Sequence, residues 1–216
     1  MAGLFITLEG IDGSGKTTQA KLLAERLRAE GHCVELTREP GGTRAGEVIR
    51  ELVLSREHRI PAEAELFLYL ADRAVHANDV ILPALGRKCV VVCERFTDST
   101  LAYQGYGRGL DLEFLRRLNE MATGGMTPDL TVVIEIAPEH ARLDGSRLDR
   151  LESEGEAFSR KVAEGFRDLA RREPERIKLV DGMSGIEAVH AEVWRLVEES
   201  LRTGRRSPGA LPGGAS

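Results

Sequence analysis

Leu4-Phe5-Ile6-Thr7-Leu8-Glu9-Gly10-Ile11-Asp12-Gly13-Ser14-Gly15-Lys16-Thr17-Thr18 passes from an apolar, strand-like run through a glycine-rich turn into a helix-like segment, Gln19 to Leu27. Gly10 to Thr17 has the pattern G-x-x-x-x-G-K-T, a phosphate-binding loop. Gly10, Gly13 and Gly15 permit backbone conformations that a Cβ would forbid. The N–H groups of Ile11, Asp12, Ser14 and Thr18 and their neighbours can then converge on a phosphate, helped by the positive end of the following helix. Lys16 supplies a point charge for the outer phosphates, and the Thr17 hydroxyl a ligand for Mg²⁺.

Working outward, apolar runs alternate with helix-period segments. Strands are expected at 4–9, 33–37, 89–93, 130–136 and 177–180. Helices are expected at 16–30, 45–54, 62–85, 112–122, 156–172 and 186–202. The runs Val90-Val91-Val92 and Val132-Val133-Ile134 read as strands covered on both faces. This alternation predicts an α/β fold: one mainly parallel five-stranded sheet with helices on both faces, and ligands beyond the carboxyl ends of its strands. Residues 1–202 form the expected domain. Residues 203–216, rich in Gly and Pro, read as a disordered tail.

The 216 residues suit a single domain. A net charge of −5 argues against a nucleic-acid partner. No stretch resembles a membrane span or signal peptide, so a cytoplasmic protein is expected. Cys33, Cys89 and Cys93 show no metal or disulfide spacing and read as small, reduced core residues. The five histidines (32, 58, 76, 140, 190) likewise have no metal spacing and read as surface or packing residues.

Four further segments narrow the chemistry. Thr37-Arg38-Glu39-Pro40-Gly41-Gly42-Thr43 shapes a loop at a strand end. Tyr69 and Arg73, four apart, share a helix face and suit a base that is stacked and hydrogen-bonded at its edge. Glu94-Arg95-Phe96 follows a buried strand, where an acid can hold Mg²⁺ or its water and an arginine can clamp phosphate. Arg142-Leu143-Asp144-Gly145-Ser146-Arg147-Leu148-Asp149-Arg150 offers three arginines that could close over a nucleotide.

Together with Ser99-Thr100-Leu101-Ala102-Tyr103-Gln104-Gly105, these motifs resemble the bacterial thymidylate kinases from Leu4 to about Leu201. The resemblance implies a single-domain kinase with a short lid, usually a homodimer, that moves the γ-phosphoryl group of ATP to dTMP with Mg²⁺. It implies ATP binding by Gly10 to Thr18 and by Arg150, and metal contact by Thr17 and Glu94, the latter directly or through water. Asp12 would lie near the acceptor. Arg50 and Arg95 would hold the dTMP phosphate, and Glu39 would sit near the sugar or metal water. Tyr69 would stack on thymine, Arg73 would bond its carbonyl edge, and Ser99, Thr100 and Gln104 would complete the pocket. Tyr103 would crowd the ribose 2′ position. Residues 181–185 would flank adenine. The family usually has Asp where this chain has Glu94. The P-loop of this chain carries no arginine, and the resemblance implies that members of this kind use a lid arginine; Arg147 is the first candidate and Arg142 the second.

The acceptor oxygen of a monophosphate is already an anion, so no general base is needed. The work is alignment and charge cancellation by Lys16, Arg95, a lid arginine and Mg²⁺. Besides a binding protein that has lost catalysis, which the intact Lys16 and Thr17 argue against, there are two alternatives. One is a P-loop kinase for another nucleotide or nucleoside. The other is a nucleotide-hydrolysing switch, which would want an N-K-x-D motif that is not present.

Overall fold

The computed structural model describes residues 3–141 and 154–204. Five strands, β1 (Leu4–Glu9), β2 (Val34–Arg38), β3 (Val90–Glu94), β4 (Leu130–Glu135) and β5 (Ile177–Asp181), form one sheet in the order β2-β3-β1-β4-β5, with every neighbouring pair parallel. The predicted five strands and their alternation with helices are all present. Register explains why the distant motifs meet. Leu8 and Arg38 both pair with Glu94, so the segments following β1, β2 and β3 leave the sheet at one level. The chain reverses its direction of winding around β1, which places a ligand crevice above that strand.

The helices are α1 (Lys16–Ala29), α2 (Arg44–Leu54), α3 (Ala62–His76), α4 (Leu82–Gly86), α5 (Thr97–Thr100), α6 (Leu112–Thr123), α7 (Glu156–Arg172) and α8 (Ile186–Thr203). Leu4, Ile6 and Leu8 of β1 point to one face and pack with Leu23 and Leu27 of α1 and Val193 and Val197 of α8. Each such side chain contributes about 1.5–3 kcal/mol when fully buried, more than an exposed ion pair at about 0–1 kcal/mol. The opposite face of β1 is apolar only at Phe5, which meets the Phe96 ring edge-on at 4.9 Å. Thr7 and Glu9 on that face enter polar networks. The Thr7 hydroxyl lies 2.8 Å from that of Thr131, which donates to Asp98, and Asp98 is paired with Arg176. The strand is therefore covered on both sides, as expected, but one cover is polar and lies under the site.

Three expectations change. The helix predicted over 62–85 contains a π-helical segment, Ala77–Ile81, before α4. Pro83 has no N–H to continue the regular ladder, and a widened turn accommodates it. Residues 97–107, read only as a source of pocket side chains, form α5 and a second π-helical segment, Leu101–Gly107. Finally, Cys33 and Cys89 are joined by a disulfide rather than reduced, and only Cys93 is free. The two cysteines immediately precede Val34 and Val90, which are paired in register, so strand pairing brings them to a Cα separation of 4.6 Å. Spacing along the chain could not reveal that.

At the carboxyl end α8 includes Thr203 and closes on Gly204 in the left-handed conformation, so the helix passes the expected boundary at 202. The rest of the expected tail lies outside the described residues. Among the described residues no helix is long and apolar enough to cross a membrane.

Candidate active site

A cavity of about 500 Å³ opens above the carboxyl ends of β1, β2 and β3. One end is formed by the P-loop, Gln19 and the Gly182–Gly185 turn. The other is formed by Glu39, Arg50, Tyr69, Arg73, Arg95, Ser99, Thr100, Tyr103 and Gln104. The structure thus brings together all the described residues expected to bind substrate. Arg142, Arg147 and Arg150 lie outside the described residues.

The P-loop adopts the anticipated backbone. Gly10, Gly13 and Gly15 have φ of 135°, 74° and 93°, and a Cβ at Gly10 would lie 2.5 Å from the Ile134 carbonyl oxygen. Lys16 is buried, and its ammonium donates to the Ile11 carbonyl at 2.7 Å. Burial, then the nearby Arg95 charge, pulls its pKa down to about 8. Thr17, at the exposed start of α1, donates to both Glu94 carboxylate oxygens at 3.0 and 2.8 Å. The longer acid at position 94 therefore still reaches the P-loop. A hydroxyl and a carboxylate side by side are hard oxygen donors of the kind Mg²⁺ takes. Among the described residues no group of three or more His, Cys, Asp and Glu forms a metal cage, so most ligands of such an ion would come from phosphate and water.

Arg95 sits just beyond β3 with φ 67°, a conformation that costs a non-glycine residue energy and persists only when its surroundings fix it. The fixing groups are visible. The Arg95 N–H donates to the Leu8 carbonyl at 3.0 Å. Glu9 accepts from the Phe96 N–H at 2.7 Å and from the Ser99 hydroxyl at 2.6 Å. The turn aims the Arg95 guanidinium at Asp12 in the P-loop, with which it forms an ion pair, and over the Tyr103 ring at 4.9 Å. The Tyr103 hydroxyl donates to the other Asp12 oxygen at 3.0 Å. Burial pushes the Asp12 carboxyl up, but Arg95, Lys16 and this hydroxyl outweigh it, and the net shift is downward. Glu9, fully buried and beside Asp98, is pushed up to about 7.

Arg73 is almost wholly enclosed. Its Nε donates to Glu39 at 2.8 Å, Nη1 to Thr100 at 2.7 Å and Asn119 at 2.6 Å, and Nη2 to the Phe96 carbonyl at 2.9 Å. Of its five N–H donors, one on Nη2 has no partner among the described residues. Glu39 differs from expectation in one respect. It lines the cavity, but both its oxygens are engaged, one by Arg73 and one by His76. Arg50, on α2, reaches back to the Pro40 carbonyl at 3.0 Å. Gln104 donates to the buried Glu65 at 2.8 Å.

Several supporting residues escaped the sequence reading: Glu9, Asp72, His76 and Asn119. For His76 a signal existed. It lies three residues beyond Arg73, the same face argument that linked Tyr69 to Arg73. Glu9 closes a fully buried strand, a position where a carboxylate needs an explanation.

The model of the thymidylate kinase family matches residues 8–193. The thymidylate kinase of Synechococcus sp. (strain JA-3-3Ab) is 55% identical over 199 residues, covering 92% of this chain and 97% of that protein. That of Caldanaerobacter subterraneus subsp. tengcongensis is 50% identical over 204 residues, covering 94% and 98%. The crystal structure of thymidylate kinase from Ehrlichia chaffeensis superposes with a TM-score of 0.75 at 37% identity, covering 91% of this chain and 99% of that one. With the P-loop, the Thr37–Thr43 loop and the Tyr69–Arg73 face gathered on one cavity, these likenesses place the chain in the thymidylate kinase family.

Proposed function

We propose that this chain catalyses the reaction of its family, transfer of the γ-phosphoryl group of ATP to dTMP to give ADP and dTDP, with the labour divided along the cavity. The observation that carries the reading is continuity: one space runs from Lys16 and Thr17 to Tyr69, Arg73 and Tyr103. The loop N–H groups and Lys16 hold the donor phosphates, and the turn at 181–185 flanks the adenine. Thr17 and Glu94 hold Mg²⁺, which supplies charge neutralisation at the transferring phosphates when bound.

On the acceptor side Arg95 and Arg50 take the phosphate, and Tyr69 stacks on the base. The remaining Nη2 hydrogen of Arg73 meets the thymine carbonyl edge. Ser99, Thr100 and Gln104 close the pocket, and Tyr103 fills the space a 2′-hydroxyl would need. Asp12 holds Arg95 and Tyr103 in place from the P-loop side. Arg147, and Arg150 for ATP, are assigned from the sequence alone. Exclusion of water and alignment of two polyanions then do the chemistry, with no proton to remove.

Residues 1–202 act as the catalytic unit, in the cytoplasm. A homodimer is supported by large apolar side chains left exposed on neighbouring helices: Val48 and Leu52 of α2, Phe67 of α3, and Phe114 and Met121 of α6. Light scattering on the purified chain should give about twice the monomer mass, and a monomer mass at micromolar concentration would exclude this assembly. Coupled ADP release with ATP, Mg²⁺ and a panel of dTMP, dCMP and AMP tests the activity. Turnover should be confined to dTMP, at least tenfold over the others. Equal rates, or ADP release without an acceptor, would sink the assignment.

A further inference from the structure

His76 ends α3, is completely buried and does not line the cavity. Its two nitrogens are both used. Nδ1 lies 2.9 Å from one Glu39 oxygen and Nε2 lies 2.6 Å from the Thr37 hydroxyl. An ionised carboxylate only accepts, so Nδ1 carries a proton directed at Glu39. Gly42 packs against the far side of this arrangement. A Cβ there would lie 2.5 Å from the Thr37 hydroxyl oxygen and 2.8 Å from His76 Nε2. The ring therefore has one seat, fixed by β2 on one side and by the loop after it on the other.

What it holds is a junction. The second Glu39 oxygen receives Arg73 Nε at 2.8 Å, and the carbonyl of the next residue, Pro40, receives Arg50 Nη1 at 3.0 Å. Two arginines assigned to opposite ends of the acceptor, base and phosphate, are thus tied to one two-residue segment. No bond from Lys16 or Thr17 enters this network among the described residues.

We propose that His76 is a positioning residue for the acceptor: its Nδ1–H fixes Glu39–Pro40, and through them sets Arg73 and Arg50 at the spacing of a nucleoside monophosphate. The inference rests on the acceptor reading of Arg73 and Arg50 given above. Without Nδ1–H, one Glu39 oxygen is left buried and unpaired, and the Glu39–Arg73 pair loses its fixed orientation. A purely packing histidine would instead be replaceable by any side chain of similar shape.

The test compares His76→Asn with His76→Gln. Asparagine places an amide N–H where Nδ1 stands, whereas glutamine places it near Nε2 and restores only the Thr37 side. His76→Gln should raise KM for dTMP about tenfold or more, the size of one lost hydrogen bond to a charged group. KM for ATP should stay within about twofold, and His76→Asn should recover most of the loss. Unchanged KM for dTMP in both variants would overturn the proposal, as would equal KM rises for ATP and dTMP, or no advantage of Asn over Gln. Arg73→Gln separates the two levels. If it leaves KM for dTMP unchanged, the acceptor reading itself fails. If it raises KM while His76→Gln does not, only the role of His76 fails. Should the variants not fold, the ring proton signal of His76 in the unaltered protein decides. It should shift on adding dTMP and stay in place with a non-hydrolysable ATP analogue, and no shift with dTMP rejects the proposal.

Discussion

Asp72 shows how much a single buried carboxyl can report. One of its oxygens accepts the Gly41 N–H at 3.0 Å, while the other is buried with no hydrogen-bond partner. Burial, then the charge of Glu39, pushes its pKa up to about 7. A carboxyl whose folded-state pKa lies above its unfolded value binds its proton more tightly in the fold. Its stabilising contribution is complete below about pH 4 and is lost as the pH rises through about 7. Asp72→Asn removes the titration and keeps an oxygen for Gly41. The melting temperature of the variant should gain on that of the parent by roughly 5–10 °C between pH 5 and pH 8, about 2.5 kcal/mol in a domain of this size. Parallel pH curves would show that Asp72 is not the titrating group. None of this is legible in Asp72-Arg73 as letters, because the burial and the Glu39 charge that cause it arise only in the fold.

At the scale of elements, β3 and β4 were legible because both their faces are covered and their runs are mostly apolar. Helix starts were legible with or without a side-chain cap: α6 begins at Leu112 as expected, after Asp111, which accepts from the Phe114 N–H at 2.7 Å, and α1, α3, α7 and α8 begin where expected with no such cap, whereas α2, capped by Thr43, begins one residue early. The π-helical segments were not legible: Pro83 marks a break in the ladder but not the widened turn before it, and the second segment, Leu101–Gly107, contains no proline. The second one seats Tyr103 and Gln104 and packs on α7 and α6. Among the expected site residues, Asp12 to Thr18, Tyr69, Arg73, Arg95 and Tyr103, each with a chemical signature in sequence, line the cavity. Glu9 and His76 carried only a positional signal, because the groups they bond, Phe96 and Ser99 for one and Glu39 and Thr37 for the other, lie in distant segments.

The contact between α2 and α3 can be tested directly. A Cβ at Gly46 would come within 2.6 Å of the Gly41 carbonyl oxygen, and Gly41 is itself held by Asp72. Alanine normally favours a helix by about 1 kcal/mol over glycine, but here the clash with backbone wins. Gly46→Ala should destabilise by about 1–3 kcal/mol and weaken dTMP binding, since α2 carries Arg50. Gly86→Ala, with nothing within 4 Å, should be neutral or slightly stabilising. Matching melting temperatures for the two variants would dispose of the steric argument.

For the whole molecule, the parallel sheet separates two jobs by direction. Every strand delivers its carboxyl end to the cavity, and the amino ends lie on the far side. The Cys33–Cys89 disulfide joins β2 to β3 at those amino ends, with Cys33 exposed to solvent and Cys89 buried. From Cys33 to Glu39 the chain runs six residues of extended strand, roughly 20 Å. The bond closes a loop of 56 residues, which by chain entropy is worth roughly 4 kcal/mol. Dithiothreitol should therefore lower the melting temperature by on the order of 10 °C. Initial rates at 25 °C should be the same with and without it, and a rate that falls along with the melting temperature would contradict this separation. For anyone handling the enzyme, the reducing agent in the buffer then becomes a dial for heat tolerance and storage life that turns without touching turnover. Assays run in different buffers would agree on catalysis while disagreeing on how long the protein survives to perform it.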